Sequence, residues 1–400
     1  MMHATRTVFL SLFCSILCSV SLIGQGDSIR LPDVVGATQG LVRTVQITAD
    51  DADIRRTATA LFQLHGGIDT SASGRPDFEF RYDATGERSV RLTIRSGGQD
   101  LLQQNFEASN RRQAVARASD FAVRRTLGIP GFFSGRLAFV SDRSGNSEIY
   151  SSDILFTQVR QLTSDQRQCL LPNLSPDGRT LLYTSYHRTG FPDIFKVDVE
   201  TGRRTVFAAY RGTNTGATFS PDGRRVAMIL SGTGNSQLYV SDPDGRDLRR
   251  LTETPSLEAD PSWSPDGRRI VFTSDLAGRP QIYTIDASGS NMRRLPTNIS
   301  RNCSEPNWNQ ANPDLIAFTA AVSGSFQIAL YSFEAGESRF ISQSPGDAVH
   351  PMWLNDGRHL IYTERTRSNR RLMILDTETG RAVPLSPSDL RNVEQAHFIY

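Results

Sequence analysis

Asp260, Glu305 and His350 stand at a constant interval of 45 residues. Two carboxylates and an imidazole have the donor types that bind a divalent cation. They also suit an acidic arc that receives the basic side chain of a partner. The plainest alternative is a solvated polar rim, since nothing in the sequence alone brings the three to metal-ligand distance. Leu171, Gly216 and Gln395 continue the series at nearly the same interval, so each position belongs to one copy of a repeat. Other chemistry is hard to find. The chain has no G-x-S-x-G elbow, H-E-x-x-H pair, P-loop or dinucleotide fingerprint. Asp242-Pro243-Asp244-Gly245 looks superficially like a calcium loop, but it lacks the twelve-residue ligand spacing and falls where a hairpin turn belongs.

The repeat that positions the trio is explicit. Ser-Pro-Asp-Gly-Arg occurs at Ser175–Arg179, Ser220–Arg224 and Ser264–Arg268, with a weaker copy at Asn355–Arg358 and a trace at Ser134–Arg136. Proline and glycine make this a turn between two strands. Period-two runs follow each copy, as in Ile270, Phe272 and Ser274, then Gln281–Ile285. Self-similarity at this period marks a β-propeller of four-stranded blades, here six. The first blade lacks an inner strand, and Ala396–Tyr400 has no blade after it. The C-terminal strand is therefore expected to complete blade 1 and close the ring, which removes open sheet edges.

Outside the propeller, 131–400, two segments are expected. Residues 1–26 resemble a secretory signal peptide: Arg6 precedes a mostly apolar run over Val8–Ile23. Residues 27–130 lack the repeat and form an α+β N-terminal domain with a mobile leading segment. It holds a strand over Leu41–Ile47, a helix starting near Asp51 with Ile54, Ala58, Leu61 and Phe62 on one face, three further strands, and a second helix capped by Asn110. Gly131–Ser134 links it to blade 1. The net charge of +2 does not suggest a nucleic-acid binder, and no stretch after the leader is long enough to enter a membrane. Cys169 and Cys303 each lie three residues before a proline, in blades on opposite sides of the ring. That separation argues against a disulfide, and two thiols facing a shared channel mouth are expected.

Several stretches resemble the TolB family. They are Leu127-Gly128-Ile129-Pro130-Gly131 leading into Arg136–Val140, then Ser231–Val240, and above all Phe272–Tyr283, together with the six S-P-D-G-type repeats. The resemblance implies a monomeric, non-enzymatic periplasmic adaptor of the Tol-Pal system, without cofactor, supporting outer-membrane integrity and envelope constriction in cell division. A Pal-like outer-membrane lipoprotein would bind at the propeller mouth, through Thr213, Asn214, Gly216, Glu258, Ala259, Asp260, Cys303, Glu305 and His350. Thr213 stands where the family has a histidine. A TolA-like inner-membrane protein would bind the N-terminal segment at Asp27, Ser28, Ile29, Arg30 and Leu31. The alternatives are an exported propeller hydrolase or lyase that uses the mouth residues, and a propeller that binds glycan or peptide.

Overall fold

The computed structural model describes residues 42–400. The expected signal peptide over 1–26 and the segment Asp27–Leu31 lie outside the described residues. A five-stranded sheet comes first, in the order Ile68–Asp69, Arg43–Ala49, Phe78–Ala84, Ser89–Ser96 and Gln99–Glu107. The two-residue strand at Ile68 was too short to leave a pattern in the sequence. Helix α1 (Ala52–Gln63) begins where Asp51 Oδ1 accepts hydrogen bonds from the N–H groups of Asp53 and Ile54. Its buried face is Ile54, Ala58, Leu61 and Phe62, the face that the sequence spacing selects. Helix α2 (Arg111–Leu127) is capped by Asn110 and stopped by Gly128, whose φ of 75° is left-handed.

Six four-stranded antiparallel sheets follow. Blades 2 to 6 start with the inner strands Cys169–Leu174, Asn214–Phe219, Glu258–Trp263, Cys303–Trp308 and Asp347–Trp353. Blade 1 takes its inner strand, Val393–Ile399, from the C-terminus, where it pairs with Arg136–Ser141. The ring closes as expected, with this strand starting three residues before Ala396. At each Ser-Pro-Asp-Gly-Arg turn the serine hydroxyl donates to the aspartate at 2.6 Å, and the aspartate accepts the arginine N–H at 3.0–3.1 Å.

The α/β layer sits on the end of the ring that carries these turns. The linker does more than join: Phe132 and Phe133 are fully buried, and one core runs from Phe62, Phe80 and Tyr82 through both of them into blades 6 and 1. One carboxylate ties the joint. Asp120 of α2 accepts from Phe133 N at 2.7 Å, Ser134 N at 2.9 Å and Tyr400 Oη at 3.2 Å. Burial pushes its carboxyl up to about 6, even though these donors pull the other way. Gly131 is a contact requirement here, because a Cβ would lie 2.3 Å from Asp120 Oδ1.

Each inner strand pairs on one side only and faces the channel on the other. Backbone N–H groups on that open side need acceptors. The neighbouring blade supplies them. Asn173 Oδ1 accepts from Phe219 N, Ser262 Oγ from Trp308 N, Asn307 Oδ1 from Trp353 N, and His397 Nδ1 from Leu174 N, at 2.9–3.1 Å. These side chains occupy equivalent positions in blades 2, 4, 5 and 1.

His397 must be neutral to accept. Burial holds its pKa down at about 4, against about 6.5 in an unfolded chain. Unfolding therefore takes up a proton between those values, and stability is lost as pH falls from 6.5 towards 4. His397→Asn, which copies the residue at 173 and 307, should remove on the order of 2 kcal/mol of this acid sensitivity between pH 7 and 4.5. Urea unfolding of both proteins at the two pH values checks this. Equal acid dependence in wild type and variant would mean that His397 does not make the joint between blades 1 and 2.

Candidate functional site

Each inner strand carries a β-bulge, seen as a break in its register with the next strand. The bulge residue is Leu171, Gly216, Asp260, Glu305, His350 or Gln395, and all six have φ between 52° and 63°. The series found in the sequence is thus a set of left-handed residues within the inner strands. The spacing in the sequence alone reads them as lying just before those strands. Only Gly216 adopts this backbone at no steric penalty. In four blades a proline follows (Pro172, Pro261, Pro306, Pro351), so no N–H is left unpaired at that step.

The bulges line a central channel of about 520 Å³. Glu305 and His350 meet directly. Glu305 Oε1 lies 3.3 Å from His350 Nδ1, and its Oε2 accepts from His350 N at 2.8 Å and from Thr319 Oγ1 at 2.7 Å. Asp260 Oδ2 accepts from Thr273 Oγ1 at 3.3 Å, and Thr273 Oγ1 in turn accepts from Glu305 N at 3.1 Å. Gln395 Nε2 lies 3.5 Å from His350 Nε2 and continues the arc, and its Oε1 accepts from Leu171 N at 2.9 Å. Burial pushes the Asp260 carboxyl up to about 6. Repulsion from Glu305 adds to this, and His350 partly offsets it. The result is an acidic arc on one side of the channel, with Leu171 and Gly216 opposite. Asp260, Glu305 and His350 do not gather as three ligands of one metal ion. Among the described residues the cluster with that geometry is elsewhere, at His65, Asp356 and His359.

The same bulge corrects three side chains expected at the mouth. Asn214, Glu258 and Cys303 lie two residues before the bulge residues, and all are buried. The bulge breaks the alternation of the strand, so this position faces into the blade while the bulge residue faces the channel. Asn214 braces the loop above it by accepting from Tyr210 N at 2.9 Å and donating to Tyr210 O at 2.8 Å. Glu258 Oε1 accepts from Thr254 and Ser256. Cys303 packs beside Thr297, at 3.7 Å. Neither thiol faces the mouth. Cys169 is enclosed by Glu148, at 3.4 Å, and Asp165, at 3.6 Å; burial and these acids push its pKa up. Cys169 and Cys303 are both free thiols. Thr213 and Ala259 remain partly exposed but do not line the channel.

The sequence reading missed four exposed apolar side chains near the starts of the inner strands. Phe191 (68% exposed), Tyr210, Leu257 and Leu276 stand on loops at this end. Pro192 O accepts from Asn214 N, and Asp275 Oδ1 accepts from Leu257 N, which fixes two of these loops against the strands. The signal was present: aromatic or leucine residues inside loops otherwise rich in Arg, Gly and Thr.

The profile described as TolB beta propeller domain (PD40) matches residues 123–395. The chain belongs to the TolB propeller family. It is 30% identical over 237 residues to the Tol-Pal system protein TolB of Desulfosudis oleivorans, a match covering 58% of this chain and 49% of that one. It is 32% identical over 191 residues to a protein TolB homolog of Chlorobaculum tepidum, covering 47% and 41%. The chain thus spans about half the length, or less, of these curated relatives. The crystal structure of TolB from Acinetobacter baumannii superposes with a TM-score of 0.80 at 23% identity, covering 91% of this chain and 98% of that one, and it shows the same fold. No helix among the described residues is long and apolar enough to cross a membrane.

The raised pKa of Asp260 has a definite sign. The folded protein holds a proton there that the unfolded chain releases near pH 4, so this group lowers stability as pH rises from about 4 to 6. Asp260→Asn should raise stability at pH 7.5 by on the order of 1 kcal/mol, after discounting for solvent in the channel. It should leave stability at pH 4 nearly unchanged. Denaturation midpoints at the two pH values test this, and a destabilised variant at pH 7.5 would show that the charge is compensated in the ring.

Proposed function

We propose that the protein is a non-catalytic adaptor of a Tol-Pal envelope system, exported to the periplasm. It takes a Pal-like lipoprotein at the propeller mouth and a TolA-like protein through Asp27–Leu31. The family and the name of its relatives, Tol-Pal system protein TolB, support the system. The observation that carries the reading is an asymmetry of the ring. Among the described residues, the turn end holds the α/β layer, whereas the mouth end presents the arc Asp260–Glu305–His350, with Leu257 and Leu276 on loops of blade 4 and Phe191 and Tyr210 across the channel on loops of blades 2 and 3. Exposed aromatic anchors next to a recessed polar group are the composition of a protein-binding surface. The partly enclosed acidic arc suits a basic side chain that enters the channel.

Calorimetric titration with the periplasmic domain of the organism's own Pal-like lipoprotein tests this. Saturable binding is expected. Asp260→Ala with Glu305→Ala should weaken it about tenfold, and Phe191→Ala with Tyr210→Ala by about 1–3 kcal/mol. A folded wild-type protein that does not bind would sink the proposal.

A further inference from the structure

We propose that His65, Asp356 and His359 form a buried site for a divalent transition metal, zinc by its donor set, at the joint between the α/β layer and blade 6. Each residue offers one ligand atom, and the three atoms lie within 4.8 Å of one another. The two imidazoles stand edge to face, with ring centres 4.4 Å apart and no exposed surface. Two imidazole nitrogens and a carboxylate oxygen are a set that zinc takes, with a fourth position left for water or another oxygen. Asp376 Oδ2, 3.6 Å from His359 Nε2, stands beside the site.

The hydrogen bonds leave a place for a cation. Gly67 N donates to His65 Nδ1, which leaves His65 Nε2 enclosed and without a partner. A buried polar nitrogen in that state costs about 1–3 kcal/mol. Gly66 N donates to His359 Nε2, and His359 Nδ1 lies 2.5 Å from Asp356 Oδ2. Charge is also unbalanced. Asp356 and Asp376 are enclosed, while the adjoining guanidinium, Arg358, is already bound by Asp376 and Glu378. A divalent ion supplies the missing positive charge. Each imidazole keeps one proton as it binds: the proton on His65 Nε2 moves to Nδ1 and that on His359 Nδ1 moves to Nε2, and the rings give up their hydrogen bonds from Gly67 N and Gly66 N.

The site arises where the repeat departs from its pattern. In blades 2 to 4 the turn aspartate bonds a serine hydroxyl, and Thr180, Arg225 or Arg269 follows the turn arginine. In blade 6 Leu354 replaces the serine and His359 follows Arg358. Asp356 keeps the turn through Oδ1, which accepts from Arg358 N and His359 N, and its Oδ2 is released to the imidazole. The altered turn meets Gly66–Gly67, where a Cβ on Gly66 would fall 2.3 Å from Asp376 Oδ2. A metal here would pin the layer to the ring.

The test uses tag-free protein, stripped with a chelator, equilibrated with zinc and freed of excess metal by gel filtration. One zinc per chain and a zinc-dependent rise in Tm are expected. His65→Gln should lose both, and His187→Gln, an exposed histidine in blade 2, should keep both. Cobalt-loaded wild type gives a second reading that needs no variant: intense visible bands of a tetrahedral site, abolished by zinc. Wild type that retains no zinc, a folded His65→Gln that retains it, or cobalt without such bands would each overturn the proposal.

Discussion

The rest of this structure depends on the need of six inner strands for hydrogen-bond acceptors on their channel side. An open strand edge is costly inside a protein and invites pairing outside it. Here blades 1, 2, 4, 5 and 6 each meet the requirement for the next. Asn173, Ser262, Asn307 and His397 accept backbone N–H groups of the following inner strand. Closer to the mouth, Thr184, Thr273 and Thr363 do the same for Gly216, Glu305 and Gln395. The C-terminal strand is part of this circuit, through His397 and Gln395. Closing the ring therefore satisfies donors as well as hiding an edge.

The bulge that the circuit holds in place also makes the site. A residue at positive φ points away from the alternation of its strand. Repeated in each blade, it turns a row of strand residues into a collar around the channel. What the collar does depends on six side chains that the fold leaves free to vary. Leucine, glycine and glutamine are neutral. Asp260, Glu305 and His350, in three successive blades, gather the charge on one arc.

The architecture was legible because its determinants are local and repeated. Proline, aspartate and glycine fix the turns at a constant interval, and alternation fixes the strands. Even ring closure could be read, from a missing first strand and a spare last one. The burial of Asn214, Glu258 and Cys303 was not legible. A bulge shifts side-chain direction by one residue, and no residue type marks it: glycine appears at one position in six. The joint with the α/β layer was hidden for a different reason. Phe132 and Phe133 sit in what reads as a short linker, and His65, Asp356 and His359 are separated by nearly the whole ring. The irregularity at Leu354 and His359 was visible as a weak repeat, but only the fold shows what the irregularity faces.

The central claim is that the mouth end of the ring, shaped by the bulges, is the surface that takes the partner. Hydrogen–deuterium exchange of the protein alone and saturated with the Pal-like periplasmic domain tests it most directly. The account predicts added protection in the loops bearing Phe191, Tyr210, Leu257 and Leu276, and none in the turns at Asp177, Asp222 and Asp266 at the other end of the channel. Protection confined to those turns or to the α/β layer, with the mouth loops unchanged, would contradict it.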